Sequence, residues 1–190
     1  MISNVDRTRW LGVIDAVAEL FGADALRVRG KPLRGRRLQP SLPLPVEGCL
    51  GRALDSGDAR ICSRMREVRR QLRWRRNSSY ADAQWLDGYG YCELLGPNGH
   101  WRHTSLAMGL LLLAPWVCYP PHVHPATEVY VVISGTAFWR KANEPWRRRA
   151  PGSRILHHAD EPHAMRTGRQ PLLAAYLWLD HLQQPARLLG

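Results

Sequence analysis

The stretch His122-Val-His124-Pro-Ala-Thr-Glu128-Val-Tyr130-Val-Val-Ile-Ser-Gly135 decides the reading of this chain. It places two imidazoles, a carboxylate and a phenol at even positions of one run. Side chains on an extended strand alternate faces with a period of two. His122, His124, Glu128 and Tyr130 therefore share one face, and Val129, Val131 and Ile133 share the other. Unpaired polar groups are costly to bury, so this is not an ordinary core face. A divalent metal would satisfy several of these groups at once. Neutral imidazole and carboxylate suit zinc, iron(II), manganese or nickel.

Working outward, a third histidine sits in Gly152-Ser-Arg-Ile-Leu-His-His-Ala-Asp-Glu-Pro-His163. Between the two segments runs Thr136-Ala-Phe-Trp-Arg-Lys141, followed by a turn signal at Asn143-Glu-Pro145. The pattern resembles the cupin superfamily, whose motifs are Gly-x5-His-x-His-x3-Glu-x6-Gly and Gly-x5-Pro-x-Gly-x2-His-x3-Asn. His122, His124, Glu128 and Gly135 match the first at full spacing, and Gly152 and His163 match the second. Trp116 stands where the first motif has glycine. His158, Asp160 and Thr167 stand where the second has Pro, Gly and Asn. The resemblance implies a mainly β fold: a cupin β-barrel (double-stranded β-helix or jelly roll) with one divalent transition metal.

The pattern along the chain agrees with that. Trp10, Ile14, Val17 and Phe21 recur at helical spacing, predicting a helix over Asp6 to Phe21 that Gly22 ends. Ile61, Met65, Val68 and Leu72 predict a second over Asp58 to about Arg73, and Cys49 to Leu54 reads as a shorter piece. The Arg-, Gly- and Pro-rich stretch from Arg27 to Pro45 reads as a loop. From Gly90 eight short strands follow: Tyr91–Leu95, Leu106–Ala114, Thr127–Ile133, Thr136–Lys141, Trp146–Arg149, Ser153–His157, His163–Thr167 and Leu172–Leu179. The expected organisation is a helical region over 1–87 packed on a barrel over 88–190, the two forming one structural unit.

Composition narrows the function classes. At 190 residues the chain can bury one core, and it has no apolar run long enough to span a membrane. Cys49, Cys62, Cys92 and Cys118 show no paired spacing. They read as free thiols in a reducing cytoplasm, and the opening residues lack a signal-peptide layout. The net charge is +11, with a pI near 10.4. Of the 27 basic residues only Lys31 and Lys141 are lysines. This reads as a solvated, Arg-biased surface. There is no clear helix-turn-helix, so nucleic acid is not the expected partner.

Two further features refine the likeness. Tyr119-Pro-Pro-His-x-His-Pro-Ala-x-Glu-x-Tyr-x-x-x-Ser-Gly resembles the cupin-type dimethylsulfoniopropionate (DMSP) lyases, as do Pro162-His163-Ala-Met-Arg-Thr and Pro171-Leu-Leu-Ala-Ala-Tyr-Leu-Trp178. The resemblance implies a metal-dependent carbon–sulfur lyase that splits DMSP into dimethyl sulfide and acrylate. It assigns His124, Glu128 and His163 as metal ligands, and His122 as a fourth ligand or a substrate contact. Tyr130 is the base and Tyr119 a pocket residue with it. Trp139 and Trp178 are candidate aromatic walls for the sulfonium charge. A homodimer fits the family. His157, His158 and His181 read as surface or strand-end residues. Two other readings stay open from residues alone: a dioxygenase or isomerase acting on a small carboxylate, and a non-enzymatic sensor or regulator whose Arg-rich helix binds nucleic acid.

Overall fold

The computed structural model describes residues 4–28, 34–35, 42–80 and 84–189. Much of the expected loop from Arg27 to Pro45 lies outside them. Three α-helices, α1 (Asn4–Glu19), α2 (Leu50–Asp55) and α3 (Ala59–Val68), precede most of the sheet structure. Among the described residues there are twelve strands, the first lying between α1 and α2 and the rest after α3. They are β1 (Arg34–Gly35), β2 (Tyr89–Gly96), β3 (Trp101–Arg102), β4 (Ala107–Leu113), β5 (Cys118–Val123), β6 (Glu128–Ser134), β7 (Ala137–Lys141), β8 (Arg147–Arg149), β9 (Arg154–His157), β10 (His163–Thr167), β11 (Leu172–Trp178) and β12 (Arg187–Leu188).

The strands form two sheets, ordered β1-β3-β2-β4-β11-β6-β9 and β12-β5-β10-β7-β8. This is the jelly-roll sandwich that the cupin resemblance implies. It stays two layers rather than closing into a continuous barrel: β9 and β8 end their respective sheets.

Each face of the larger sheet has its own core. Leu94, Met108, Leu110, Leu112, Val129, Val131 and Leu177 pack with Trp10, Ile14, Val17, Met65 and Val68 of the helices in one cluster. The opposite face packs Leu111, Leu113, Val132 and Ala174 with Trp139 and Met165 of the smaller sheet. β4 is buried along its whole length because it is covered on both sides. That is why it reads as an unbroken apolar run instead of alternating. Full burial of each such Leu or Met contributes roughly 2 kcal/mol.

Local chemistry sets the element ends. The Asp58 carboxylate accepts from the Ile61 N–H at 3.0 Å, capping α3. The helix stops at Val68, short of the predicted Arg73. The Arg73 N–H is captured instead by His100 Nε2 at 3.2 Å, and the His100 ring stacks on Trp10. Those contacts lead the chain out of the helix and onto the sheet.

β5 is a strand that periodicity does not predict. Pro120 and Pro121 lie inside it, and proline cannot donate to a ladder. Its other groups pair with β10 on one side and with short β12 on the other.

Two of the departures from the cupin motifs fall where the backbone is left-handed. Trp116 adopts φ +60° and Asp160 φ +55°, left-handed conformations that glycine reaches without penalty. Thr167, in place of asparagine, donates to Ala114 O at 2.6 Å and accepts from the Val117 N–H at 2.9 Å, closing that turn. The retained Gly135 has φ +76°, and a Cβ there would lie 2.0 Å from Pro171 O. Because Trp116 is 72% exposed, little packing is lost by removing it. We expect Trp116→Gly to stabilise the fold by about 1 kcal/mol, read as a raised urea midpoint at unchanged slope. A lowered midpoint would show that the left-handed residue carries no strain.

Candidate active site between the two sheets

Three strands bring the polar groups together. Glu128 and Tyr130 come from β6, His122 from β5 and His163 from the start of β10; His124 follows β5 directly. His163 is the cross-strand partner of His122. Glu128 lies between Trp178 of β11 and His157 of β9. The larger sheet thus supplies the carboxylate and the smaller sheet an imidazole, and they meet across the sandwich.

Main-chain carbonyls orient three imidazoles. His122 Nδ1 donates to Pro120 O at 2.9 Å, His124 Nδ1 to Ala126 O at 2.9 Å, and His163 Nδ1 to Glu161 O at 2.8 Å. A carbonyl can only accept, so each Nδ1 carries the hydrogen, and the neutral ring keeps its Nε2 lone pair for the cavity. The loop carrying Glu161 is tied down in turn, since the Asp160 N–H bonds His124 O at 2.9 Å.

His124, Glu128 and His163 form a buried cluster whose donor atoms all lie within 4.8 Å of one another. His124 Nε2 is 2.9 Å and His163 Nε2 3.5 Å from Glu128 Oε2. Neighbouring donors around a tetrahedral zinc lie about 3.3 Å apart, given bonds near 2.0–2.1 Å, and the two separations bracket that figure. His163 Nε2 is buried with no hydrogen-bond partner. Trp178 Nε1 donates to Glu128 Oε1 at 2.7 Å, leaving Oε2 to face the imidazoles. An orphaned donor atom, fixed tautomers and a braced carboxylate all fit a single metal ion.

The electrostatics without a cation agree. Burial would raise the Glu128 pKa, but His124 and His163 hold the carboxyl well below its ordinary range. Burial would lower His124, yet the adjacent Glu128 leaves it raised. His122 is pushed well below the usual imidazole value by burial and by His163, so it stays neutral.

The remaining expected residues sort by position. His122 stands beside the three-residue cluster, its ring centroid 4.1 Å from that of His163. Tyr119 stacks on His122 at 3.9 Å with an interplanar angle of 5°, and its hydroxyl hydrogen-bonds to that of Tyr80. Tyr119, His122, Tyr130 and Trp178 line a cavity of about 290 Å³ that reaches His124 and Glu128. Trp139 does not line it; the ring is buried behind Tyr130, 5.9 Å between centroids, as part of the inner core. The reason is its strand register, which sets Trp139 against Met165 of β10.

His157 ends β9, as one of its two expected positions had it, but it does not lie at the surface. It is wholly buried, stacks on His163 at 3.8 Å, and has no hydrogen-bond partner on either ring nitrogen. β9 alternates exposed and buried, which puts His157 on the inner side with Ile155. His158 and His181 are exposed, as expected. The cavity also takes Tyr89, Tyr91, Glu93 and Tyr176, which sequence reasoning passed over. Strand parity was the available signal for Tyr176, which shares a face with Trp178. The same parity puts Glu93 on the face of Tyr91 in β2.

Comparison with known proteins bears on the family and the fold. The profile of the dimethylsulfoniopropionate lyase family matches residues 30–174. The dimethylsulfoniopropionate lyase DddQ of Ruegeria pomeroyi is 34% identical over 113 residues, 60% of this chain and 56% of that protein. The chain thus matches little more than half the length of that relative. A protein of Cereibacter sphaeroides, named as a presumptive dimethylsulfoniopropionate lyase DddL, is 33% identical over 175 residues, 87% of this chain and 73% of its own. A chain from the crystal structures of the DMSP lyases RdDddP and RnDddQII superposes with a TM-score of 0.82 at 26% identity, covering 97% of this chain and 99% of that one.

We expect added zinc to raise the thermal midpoint of the metal-stripped protein, because a ligand that binds only the folded state stabilises it. Trp178→Phe should weaken zinc affinity about tenfold or more in calorimetry by freeing Glu128. His163→Ala should abolish the midpoint shift, and its survival in that variant would place the ion elsewhere.

Proposed function

Since this chain belongs to the dimethylsulfoniopropionate lyase family, we propose that it cleaves DMSP to dimethyl sulfide and acrylate by β-elimination. The observation that carries the reading is the placement of the Tyr130 phenol. It is two residues along β6 from Glu128, on the wall of an aromatic cavity that ends at the buried His–Glu cluster.

His124, Glu128 and His163 would hold the metal, with His122 beside them as a further ligand or a substrate contact. A divalent cation there (zinc, iron(II), manganese or nickel) would bind the substrate carboxylate, stabilise the charge that develops next to it and favour the phenolate. The chain's own residues do the rest. In the metal-free protein burial, and then the Glu128 charge, push the Tyr130 hydroxyl well above its ordinary pKa, so it is protonated before the site is loaded. As phenolate, Tyr130 takes the proton from the carbon next to the substrate carboxylate. The electron pair of that C–H bond forms the C=C bond of acrylate, the C–S bond breaks, and dimethyl sulfide departs with the bonding electrons as a neutral thioether. No acid catalyst is needed at sulfur. Tyr119, held by Tyr80 and stacked on Trp85, keeps His122 in place and supplies an aromatic wall.

The basic surface does not compete with this reading. On α3, Arg60 pairs with Glu19, and Arg66 binds both Asp55 and Leu54 O. No described helix is long and apolar enough to cross a membrane. The four free thiols fit a reducing compartment, and we place the protein in the cytoplasm.

We expect the purified, metal-loaded protein to release dimethyl sulfide from DMSP, measured by gas chromatography. Tyr130→Phe should lower kcat by roughly 10²–10⁴-fold, the usual contribution of a positioned base. Equal release from wild type and Tyr130→Phe would remove Tyr130 from the reaction.

A further inference from the structure

We propose that Tyr176, laid across Gly109, sets which sulfonium groups the cavity accepts: its ring is a fixed wall that fits two methyl groups and refuses larger ones. The inference rests on the lyase reading above and names a specificity-determining residue for it.

The composition of β4 is the first observation. The strand reads Ala107-Met-Gly-Leu-Leu-Leu-Leu113 and is buried along its whole length. A glycine inside a strand weakens it and often marks a close approach of another group to the backbone. At Gly109 that approach is visible. A Cβ there would lie 2.6 Å from the Tyr176 hydroxyl oxygen, 2.7 Å from the Tyr176 Cε1 and 2.3 Å from Cys92 O. The Tyr176 ring thus occupies space that a side chain on β4 would need. Main chain in the middle of a sheet backs it, and close-packed main chain does not give way as a loose side chain would.

The sheet register is the second. Tyr176 stands opposite Tyr130 on one side and Gly109 on the other, and Trp178 stands opposite Glu128. Residues two apart on a strand share a face. Glu128, Tyr130, Trp178 and Tyr176 are therefore neighbouring positions of one patch, and all four line the cavity. The Tyr176 ring leans away from Tyr130, across β4. Beyond it the Glu93 carboxylate is turned onto the Asn98 N–H at 2.7 Å, holding the turn after β2. Burial, and then the Glu93 charge, push the Tyr176 hydroxyl well above its ordinary pKa, so the wall is a neutral phenol.

A substrate whose carboxylate is held at the His–Glu cluster, and whose adjacent carbon meets Tyr130, carries its sulfonium on to the next ring of the patch. An aromatic ring attracts an onium charge, and a ring that cannot retreat limits the bulk around that charge. Larger substituents on sulfur would have to displace it.

The test is calorimetric binding to the zinc-loaded protein in a Tyr130→Phe background, which suppresses turnover. The probes are DMSP and its diethylsulfonio analogue, which has the same charges and bulkier groups on sulfur. We expect the background protein to bind DMSP about tenfold more tightly than the analogue. Tyr176→Val suits a strand and shortens the wall. It should weaken DMSP about fivefold and bind the analogue at least as well as the background does, erasing the preference. Tyr176→Phe keeps the ring and should keep the preference to within about twofold. A zinc-induced rise in thermal midpoint shows that each variant is folded and loaded; if Tyr176→Val is not, Tyr176→Leu is read by the same criterion. Parallel weakening of both probes, or a preference that survives loss of the ring, overturns the proposal. So does a background protein that binds neither probe, or both equally. Binding is read without chemistry. Selective binding of DMSP that the wild type never cleaves would sink the lyase reading and leave Tyr176 supported.

Discussion

Everything at the site depends on three hydrogen bonds from imidazole Nδ1 to main-chain carbonyls, at Pro120, Ala126 and Glu161. Each fixes a ring's tautomer and its direction. Without them the Nε2 atoms of His124 and His163 would not converge on one oxygen of Glu128. Each carbonyl lies two residues from its histidine, in the β5 region or just before β10. The sheets hold the loops, the loops hold the carbonyls, and the carbonyls aim the imidazoles. A buried carboxylate is tolerable only because it meets those imidazoles and the Trp178 indole.

This arrangement explains why a sandwich serves the chemistry. Glu128 lies on the larger sheet and His163 on the smaller, so sliding one layer over the other would open the cluster. The helices pack against the far face of the larger sheet. They support the layer that carries Glu128, Tyr130, Tyr176 and Trp178 without reaching the cavity themselves.

Much of this was legible in the sequence, and the reasons are specific. The eight predicted strands correspond to β2, β4, β6, β7, β8, β9, β10 and β11, because alternation and turn residues mark them. His124, Glu128 and His163 were legible because ligand spacing on a strand is a strong constraint. β5 was hidden by Pro120 and Pro121. The end of α3 was hidden because a histidine distant in sequence intercepts its backbone. His157 does end β9, but it is not at the surface, and parity with Ile155 pointed it inward. Glu93 was passed over although parity with Tyr91 on β2 puts it on the face that lines the cavity.

The end of the smaller sheet has a consequence of its own. β8 is three consecutive arginines, Arg147 to Arg149, and among the described residues it pairs on one side only, with β7. Two copies meeting through that unpaired backbone would have to press six guanidinium groups together. Such a meeting is repulsive, which blocks the growth of an intermolecular ladder where the main chain would otherwise invite one. Part of the unusual basicity of this chain thus acts at the rim of the sandwich, as protection against aggregation.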